Sequence, residues 1–154
     1  MPSQNRFVDN GNGTVTDTQT GLMWKQTDTM NDLKKWINYQ DSVDYVRELR
    51  DQKFAGYEDW RLPTQVEMQT VYDKSFSNKD LYDKEIHISE QFASGGGFSM
   101  ICQSVAGRMR TWVLNIRDGS LNSPEGSGNI GAVWTISEAT RAVRVQKPHD
   151  IAGS

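Results

Sequence analysis

The chain has one cysteine, two histidines, four prolines and no long apolar run in 154 residues. Each scarcity excludes something. A single thiol, Cys102, can form neither an internal disulfide nor a cysteine-rich zinc site. Its apolar neighbours Met100, Ile101 and Val105 mark it as an inert, partly buried thiol rather than a nucleophile. His87 and His149 have no second His or Cys beside them, so structural or solvated roles are expected for both. Without an extended apolar stretch there is no membrane-spanning helix to expect, and no signal-peptide pattern opens the chain. There is no Gly-x-Ser-x-Gly elbow. The run Ser94-Gly95-Gly96-Gly97 lacks the Lys-Ser/Thr of a phosphate-binding loop and reads as a flexible turn. Catalysis is therefore the least supported kind of function here, and no cofactor or obligatory calcium or zinc ion is expected.

What is present suits one loop-rich domain over residues 1–154, long enough to bury a real core. Five Trp, five Tyr and five Phe supply the large apolar surfaces. The net charge of −3 hides an asymmetry: residues 1–106 carry 11 basic and 16 acidic side chains, and residues 107–154 carry 6 and 4. The six are Arg108, Arg110, Arg117, Arg141, Arg144 and Lys147. They read either as ordinary surface charge and internal ion pairs or as a modest anion-binding face, since the arginine fork suits sulfate, phosphate and carboxylate. The acidic pI argues against a nucleic-acid partner.

Residues 7–25 read as short strands joined by turns at Asn10-Gly11, Asn12-Gly13 and Thr20-Gly21. A calcium loop built on Asp9, Asn10, Asn12 and Asp17 is the weaker alternative, because the ligand order and the closing bidentate glutamate are missing. A helix is predicted over 32–52, with Trp36, Tyr39, Val43, Val46 and Leu49 as its apolar stripe. A second is predicted from about Gln65 to Lys74, burying Val66, Met68, Val71 and Tyr72. Thr64 and Glu67 have capping-box spacing at its start, and Pro63 holds Leu62 extended just before it. Residues 75–97 read as polar and irregular. Late strands are predicted at 111–116, with Trp112, Leu114 and Ile116 on one face, at 132–136 and at 141–147. Arg117–Ser120 reads as a turn and 121–131 as a loop. Trp24, Trp60, Leu62 and Trp134 are expected in the core, with Arg61 held by fixed hydrogen bonds.

Several segments together resemble the C-terminal domain family of the Legionella collagen-like protein. They are Arg6-Phe7-Val8-Asp9-Asn10-Gly11, Gly13-Thr14-Val15-Thr16-Asp17, Thr20-Gly21-Leu22-Met23-Trp24 and Gly56-Tyr57-Glu58-Asp59-Trp60-Arg61-Leu62-Pro63. Trp112-Val113-Leu114-Asn115-Ile116-Arg117-Asp118-Gly119 and Arg141-Ala142-Val143-Arg144 complete the set, which spans about residues 6–147. The resemblance implies an α+β, C-type-lectin-like fold. It would have two helices around a small mixed β core, paired N- and C-terminal strands and a long loop region. Formylglycine-generating enzymes share a helix start like Trp60-Arg61-Leu62-Pro63-Thr64 but rely on two cysteines, which argues against that oxidation here. The Glu-Pro-Asn or Gln-Pro-Asp and Trp-Asn-Asp motifs of calcium-dependent lectins are absent, which argues against calcium-bridged sugar binding.

The resemblance implies a non-catalytic binding module at the bacterial envelope or surface, extracellular or periplasmic, recognising a glycan or a protein. A structural subunit of a larger or self-associating complex is the alternative, so a homo-oligomer stays open. For an acidic glycan the expected contacts are Arg108, Arg110 and Arg117, with Asn122 and Asn129 as hydrogen-bonding partners. Trp112 is read either as a stacking face or as core.

Overall fold

Three strands, β1 (Phe7–Asp9), β2 (Thr14–Asp17) and β3 (Leu22–Lys25), form an antiparallel meander, and the last described strand, β9 (Val143–Val145), pairs antiparallel with β3. The sheet order is β1-β2-β3-β9. This computed structural model describes residues 6–103, 112–122 and 138–146; Trp134 and the strand predicted at 132–136 lie outside them. Between β1 and β2 the turns are made as the sequence suggests. Asp9 accepts the Gly11 N–H at 2.9 Å, Asn12 accepts the Thr14 N–H at 3.2 Å, and Gly11 and Gly13 take φ of 81° and 88°. These side chains are thereby spent on turn chemistry.

Strand alternation places a core on each face of this sheet. Leu22 and Trp24 point into a cluster with Phe7, Val15, Met68, Val71, Phe92, Met100, Leu114, Ile116 and Val143. Met23, one residue out of phase, joins Val46, Leu49, Trp60, Leu62 and Ala142 on the other side. The second face is covered by helix α2 (Tyr39–Asp51) and the chain that follows it. The first is covered by helix α3 (Gln65–Val71), a short hairpin of β4 (Asn78–Lys79) and β5 (Glu85–Ile86), and a sheet of β6 (Ser99–Ile101), β7 (Val113–Asn115) and β8 (Leu121–Asn122).

The structure departs from the sequence reading at several points. The helix predicted over 32–52 is two: α1 (Thr29–Leu33), capped by Asp28, and α2, capped by Asn38. Lys34 ends α1 in the left-handed region at φ 61°, and Ile37 then forms a bridge with Glu138. Trp36 therefore leaves the expected stripe and packs edge-on against Phe98 at 5.2 Å. Three α-helices stand among the described residues, not two. α3 stops at Val71, and Val66 is 66% exposed rather than buried, because Met68 and Val71 alone face the core. Residues 75–97 are less irregular than expected, since the β4–β5 hairpin lies within them. Leu121–Asn122 is not loop but a strand, paired with β7. The described strands pair only antiparallel; parallel contact is confined to the isolated bridges Asp80–Gly96 and Met100–Ala139. The glycine run is not a flexible turn. The Gly97 N–H donates to buried Asp28 at 2.8 Å, and a Cβ on Gly96 would sit 2.4 Å from the same carboxylate. These glycines permit a close approach that any side chain would block.

The two most conspicuous sequence segments meet each other. Arg61 exchanges both backbone hydrogen bonds with Val143 at 3.0 Å. Its guanidinium grips Glu67 with two bonds of 2.7 and 2.8 Å, while Glu67 also accepts the Thr64 N–H at 2.9 Å in the expected capping box. Arg144, 2% exposed, donates from Nε to Asp59 at 2.5 Å and lies 3.8 Å over the Tyr57 ring. Gly56–Pro63 and Arg141–Arg144 are thus two halves of one fastening between the end strand and the helices, and Arg144 is not a member of an anion-binding face.

Buried ion pairs of this kind make the fold acid-sensitive. Burial raises the pKa of Asp17 and Glu67, but the hydrogen bonds from Arg6 and Thr20 to Asp17, and from Arg61 and Thr64 to Glu67, outweigh it and hold both carboxyls below their usual values. A carboxyl depressed in the folded state contributes stability above its unfolded pKa and loses it as pH falls through the folded value. Urea midpoints are expected to fall as the pH drops below about 4, and Asp17→Asn is expected to lower the neutral-pH midpoint while flattening that slope. An unchanged slope in the variant would show that Asp17 carries none of the acid sensitivity.

Candidate functional site

Of the six side chains expected to hold a ligand, three lie within the described residues; Arg108, Arg110 and Asn129 lie outside them. Trp112 is half-buried against the first core, as the core reading had it, and its carbonyl accepts the Cys102 N–H at 2.9 Å. Asn122 is exposed at the end of β8, opposite Val113. Arg117 is neither buried core nor free surface charge. It opens the turn between β7 and β8, whose tightness depends on Gly119 at φ 80°, and its side chain folds back over the molecule.

Asp80 holds it there. The Asp80 carboxylate is fully enclosed: Oδ2 accepts from Nε of Arg117 at 2.8 Å, and Nη2 is ion-paired with the same oxygen at 2.8 Å. Oδ1 accepts the backbone N–H groups of Tyr82 and Lys84, at 2.9 and 3.0 Å, which shapes the turn of the β4–β5 hairpin. One carboxylate thus sets the position of an arginine and of the turn carrying Tyr82. The guanidinium lies over Phe98, its central carbon 3.8 Å from the ring centre. Phe98 in turn meets Trp36 at 5.2 Å and Tyr82 at 6.4 Å. Tyr82 is 56% exposed, Trp36 and Phe98 are half-buried, and Arg117 is 33% exposed with Nη1 unbonded among the described residues. Gly97 makes room for this arrangement, since a Cβ there would lie 3.2 Å from the Trp36 ring and 2.6 Å from the Ala139 methyl.

Sequence reasoning missed Trp36, Asp80, Tyr82 and Phe98 as members of a site. They come from three separate connections, and no periodicity links them to Arg117. The one local signal was Asp80 followed by Tyr82, Asp83 and Lys84, an acidic turn opener that places its carboxylate against the backbone two residues on.

The groups with intrinsic reactivity are otherwise engaged. Burial pushes the Cys102 thiol up to about 12, leaving it protonated and unreactive at neutral pH. The His87 ring bonds through Nδ1 to the Phe76 carbonyl at 2.9 Å and stands edge-on to Tyr72. His149 lies outside the described residues. At the surface, Lys25, Thr27 and Tyr45 all donate to one oxygen of Asp32, tying β3 to α1 and α2. A surface depression of about 280 Å³ beside it is lined by Leu33, Lys35, Asp41, Asp44, Tyr45 and Glu48. Its carboxylates are spent on α2 itself: Asp41 caps the helix, Asp44 pairs with Arg47, and Glu48 accepts from Gln52. Among the described residues no helix is long and apolar enough to cross a membrane, and no three His, Cys, Asp or Glu side chains are grouped to hold a metal.

The family model described as the Lcl C-terminal domain fits residues 13–137. No curated protein and no solved structure matches the chain.

Proposed function

Because this chain belongs to the Lcl C-terminal domain family, we propose that it is a non-catalytic, glycan-binding module of C-type-lectin-like fold, working at the bacterial envelope or surface. The observation that carries this reading is the surface formed by Trp36, Tyr82, Phe98 and Arg117. Aromatic faces and a fixed guanidinium edge are binding chemistry: they offer apolar contact and directed hydrogen bonds, but no nucleophile and no proton acceptor near neutrality. Asp80 orders the surface in advance, so little conformational entropy remains to be lost when a ligand arrives. The C-type-lectin-like assignment draws on the pairing of the late strand β9 with the N-terminal strand β3 and on the irregular connections that present the surface.

A glycan array spanning neutral and acidic oligosaccharides tests the reading. The intact chain is expected to bind a restricted set, and Tyr82→Ala to weaken that binding without changing the unfolding midpoint. An array on which nothing binds would overturn it. That result would favour a structural role in an assembly, for which the exposed Val8 and Val145, on the two edge strands of the N-terminal sheet, are the supporting observation.

A further inference from the structure

We propose that Asn12 is a site of spontaneous deamidation, converting to aspartate and isoaspartate in the folded chain, while neighbouring Asn10 is protected. Two Asn-Gly pairs stand in the β1–β2 turn, Asn10-Gly11 and Asn12-Gly13, and both asparagines are exposed. The reaction has the same requirements at each. The backbone nitrogen of the following residue must lose its proton and attack the amide carbon Cγ, and Nδ2 must then leave as ammonia. Glycine suits the attack because no side chain crowds its nitrogen. In sequence the two pairs are equivalent. The fold makes them different.

At Asn10 the reacting groups are tied. The Gly11 N–H donates to the Asp9 carboxylate at 2.9 Å, so deprotonating it would break a charge-assisted bond and set one anion against another. The leaving group, Asn10 Nδ2, donates to Oγ1 of Thr14 and of Thr16, each at 2.9 Å. At Asn12, by contrast, neither the Gly13 N–H nor Nδ2 makes a hydrogen bond among the described residues. The bonded atom there is Oδ1, which accepts the Thr14 N–H at 3.2 Å and the Thr14 hydroxyl at 2.6 Å. These donors polarise the side-chain carbonyl and stand ready for the negative charge that develops on Oδ1 as Cγ is attacked. The bond to the N–H two residues on also draws the side chain back along the chain toward the Gly13 nitrogen. The remaining Asx-Gly pair, Asp118-Gly119, is closed as Asn10 is, since the Gly119 N–H donates to the Asn115 carbonyl at 2.7 Å.

The step balances with water alone. Hydroxide takes the Gly13 proton, the Gly13 nitrogen bonds to Cγ, and Nδ2 regains a proton from solvent as it departs as ammonia, leaving a cyclic imide. One water molecule then opens the ring. Cleavage at Cγ gives aspartate; cleavage at the Asn12 carbonyl carbon leaves Gly13 joined through Cγ, an isoaspartate with one more carbon in the main chain. Both products add a negative charge. Isoaspartate also disturbs packing, because the Gly13 carbonyl accepts the Gln26 N–H at 2.8 Å and a Cβ on Gly13 would lie only 2.9 Å from the Phe54 ring beside the second core.

The test incubates the intact chain at mildly alkaline pH in heavy-oxygen water, folded and in urea. The peptide carrying both asparagines is then followed by mass spectrometry, with fragmentation that tells isoaspartate from aspartate. In urea the two positions are expected to convert at similar rates. In the folded chain Asn12 is expected to outpace Asn10 by about ten- to a hundredfold, the effect on a rate of one hydrogen bond to a charged acceptor. Asp9→Ala, at an exposed position, is expected to quicken Asn10 toward the rate of Asn12, and the isoaspartate form to unfold at lower urea than the fresh protein. Equal rates in the folded chain, or the same ratio in urea, would overturn the inference. Conversion without uptake of heavy oxygen would exclude the imide route and overturn it too. An Asn10 rate unmoved in Asp9→Ala would overturn the protection assigned to the Asp9 bond.

Discussion

Trp60→Ala is expected to lower the free energy of unfolding by about 3–5 kcal/mol, one of the largest losses available from a single side chain in this fold. The indole is fully buried and central to the second core, with Phe54 at 5.8 Å and Tyr57 at 6.4 Å, both edge-on. Three separate costs accrue. Removing the ring leaves a cavity against Met23, Val46, Leu49 and Ala142 that neighbouring elements can fill only in part. The Phe54 carbonyl loses its Nε1–H partner at 2.9 Å. The backbone of residue 60, held by Arg50 through a 2.9 Å bond to its carbonyl, also loses the packing that fixes the approach to Leu62 and Pro63. Urea unfolding at neutral pH measures the sum. Against a typical stability of about 5–15 kcal/mol, such a loss leaves a marginal or unfolded domain. A change under about 1 kcal/mol would mean that the second core relaxes around the gap.

That Trp60 would be central was legible from the sequence, and so was much around it. Thr64 and Glu67 stand at the only spacing that lets each satisfy the other's backbone N–H, and a paired Arg61 follows from what an unpaired guanidinium costs in a protein interior. The alternation of Trp112, Leu114 and Ile116 likewise put the right residues toward the first core. These features are local: the physics that fixes them acts over a few residues. The split between α1 and α2 was local too, in the Asn38–Asp41 capping box, but the apolar spacing from Trp36 to Leu49 continued through it and concealed the break. Periodicity reports which residues want a common face, and Trp36 satisfied that demand from outside the helix by packing on Phe98 instead. The candidate site was hidden for a different reason. Its centre, Phe98, touches residues from three other connections, and the side chain that organises them, Asp80, looks in sequence like any solvated turn aspartate. Only the folded chain reveals that its carboxylate is enclosed.

Arg141→Met carries a comparable expected loss, about 3–5 kcal/mol, by a different route. The Arg141 guanidinium is 1% exposed, donates to the Lys25 carbonyl at 3.1 Å and the Gln26 carbonyl at 2.5 Å, and lies 4.6 Å over the Phe92 ring. Asp28 stands 3.8 Å away, too far for a strong hydrogen bond but close enough to balance the charge in surroundings from which water is excluded. Methionine would fill much of the volume, so packing is not the main loss. What remains is a buried carboxylate without its countercharge and two carbonyls without a donor. Arg141→Lys keeps the charge but not the fork that sets Nη1 on both carbonyls and Nη2 toward Asp28, and is expected to fall between methionine and wild type in urea unfolding. Equal losses for Lys and Met would show that the hydrogen bonds matter and the charge does not. The same substitution reaches the surface. Asp28 accepts the Gly97 N–H at 2.8 Å, and Gly97 precedes Phe98, on which Trp36, Tyr82 and Arg117 converge. Removing the cation that balances Asp28 is therefore expected to loosen the segment presenting Phe98, and amide exchange at Gly97 to quicken more in Arg141→Met than global unfolding alone accounts for. Exchange there that follows global stability and nothing more would separate the buried network from the binding surface.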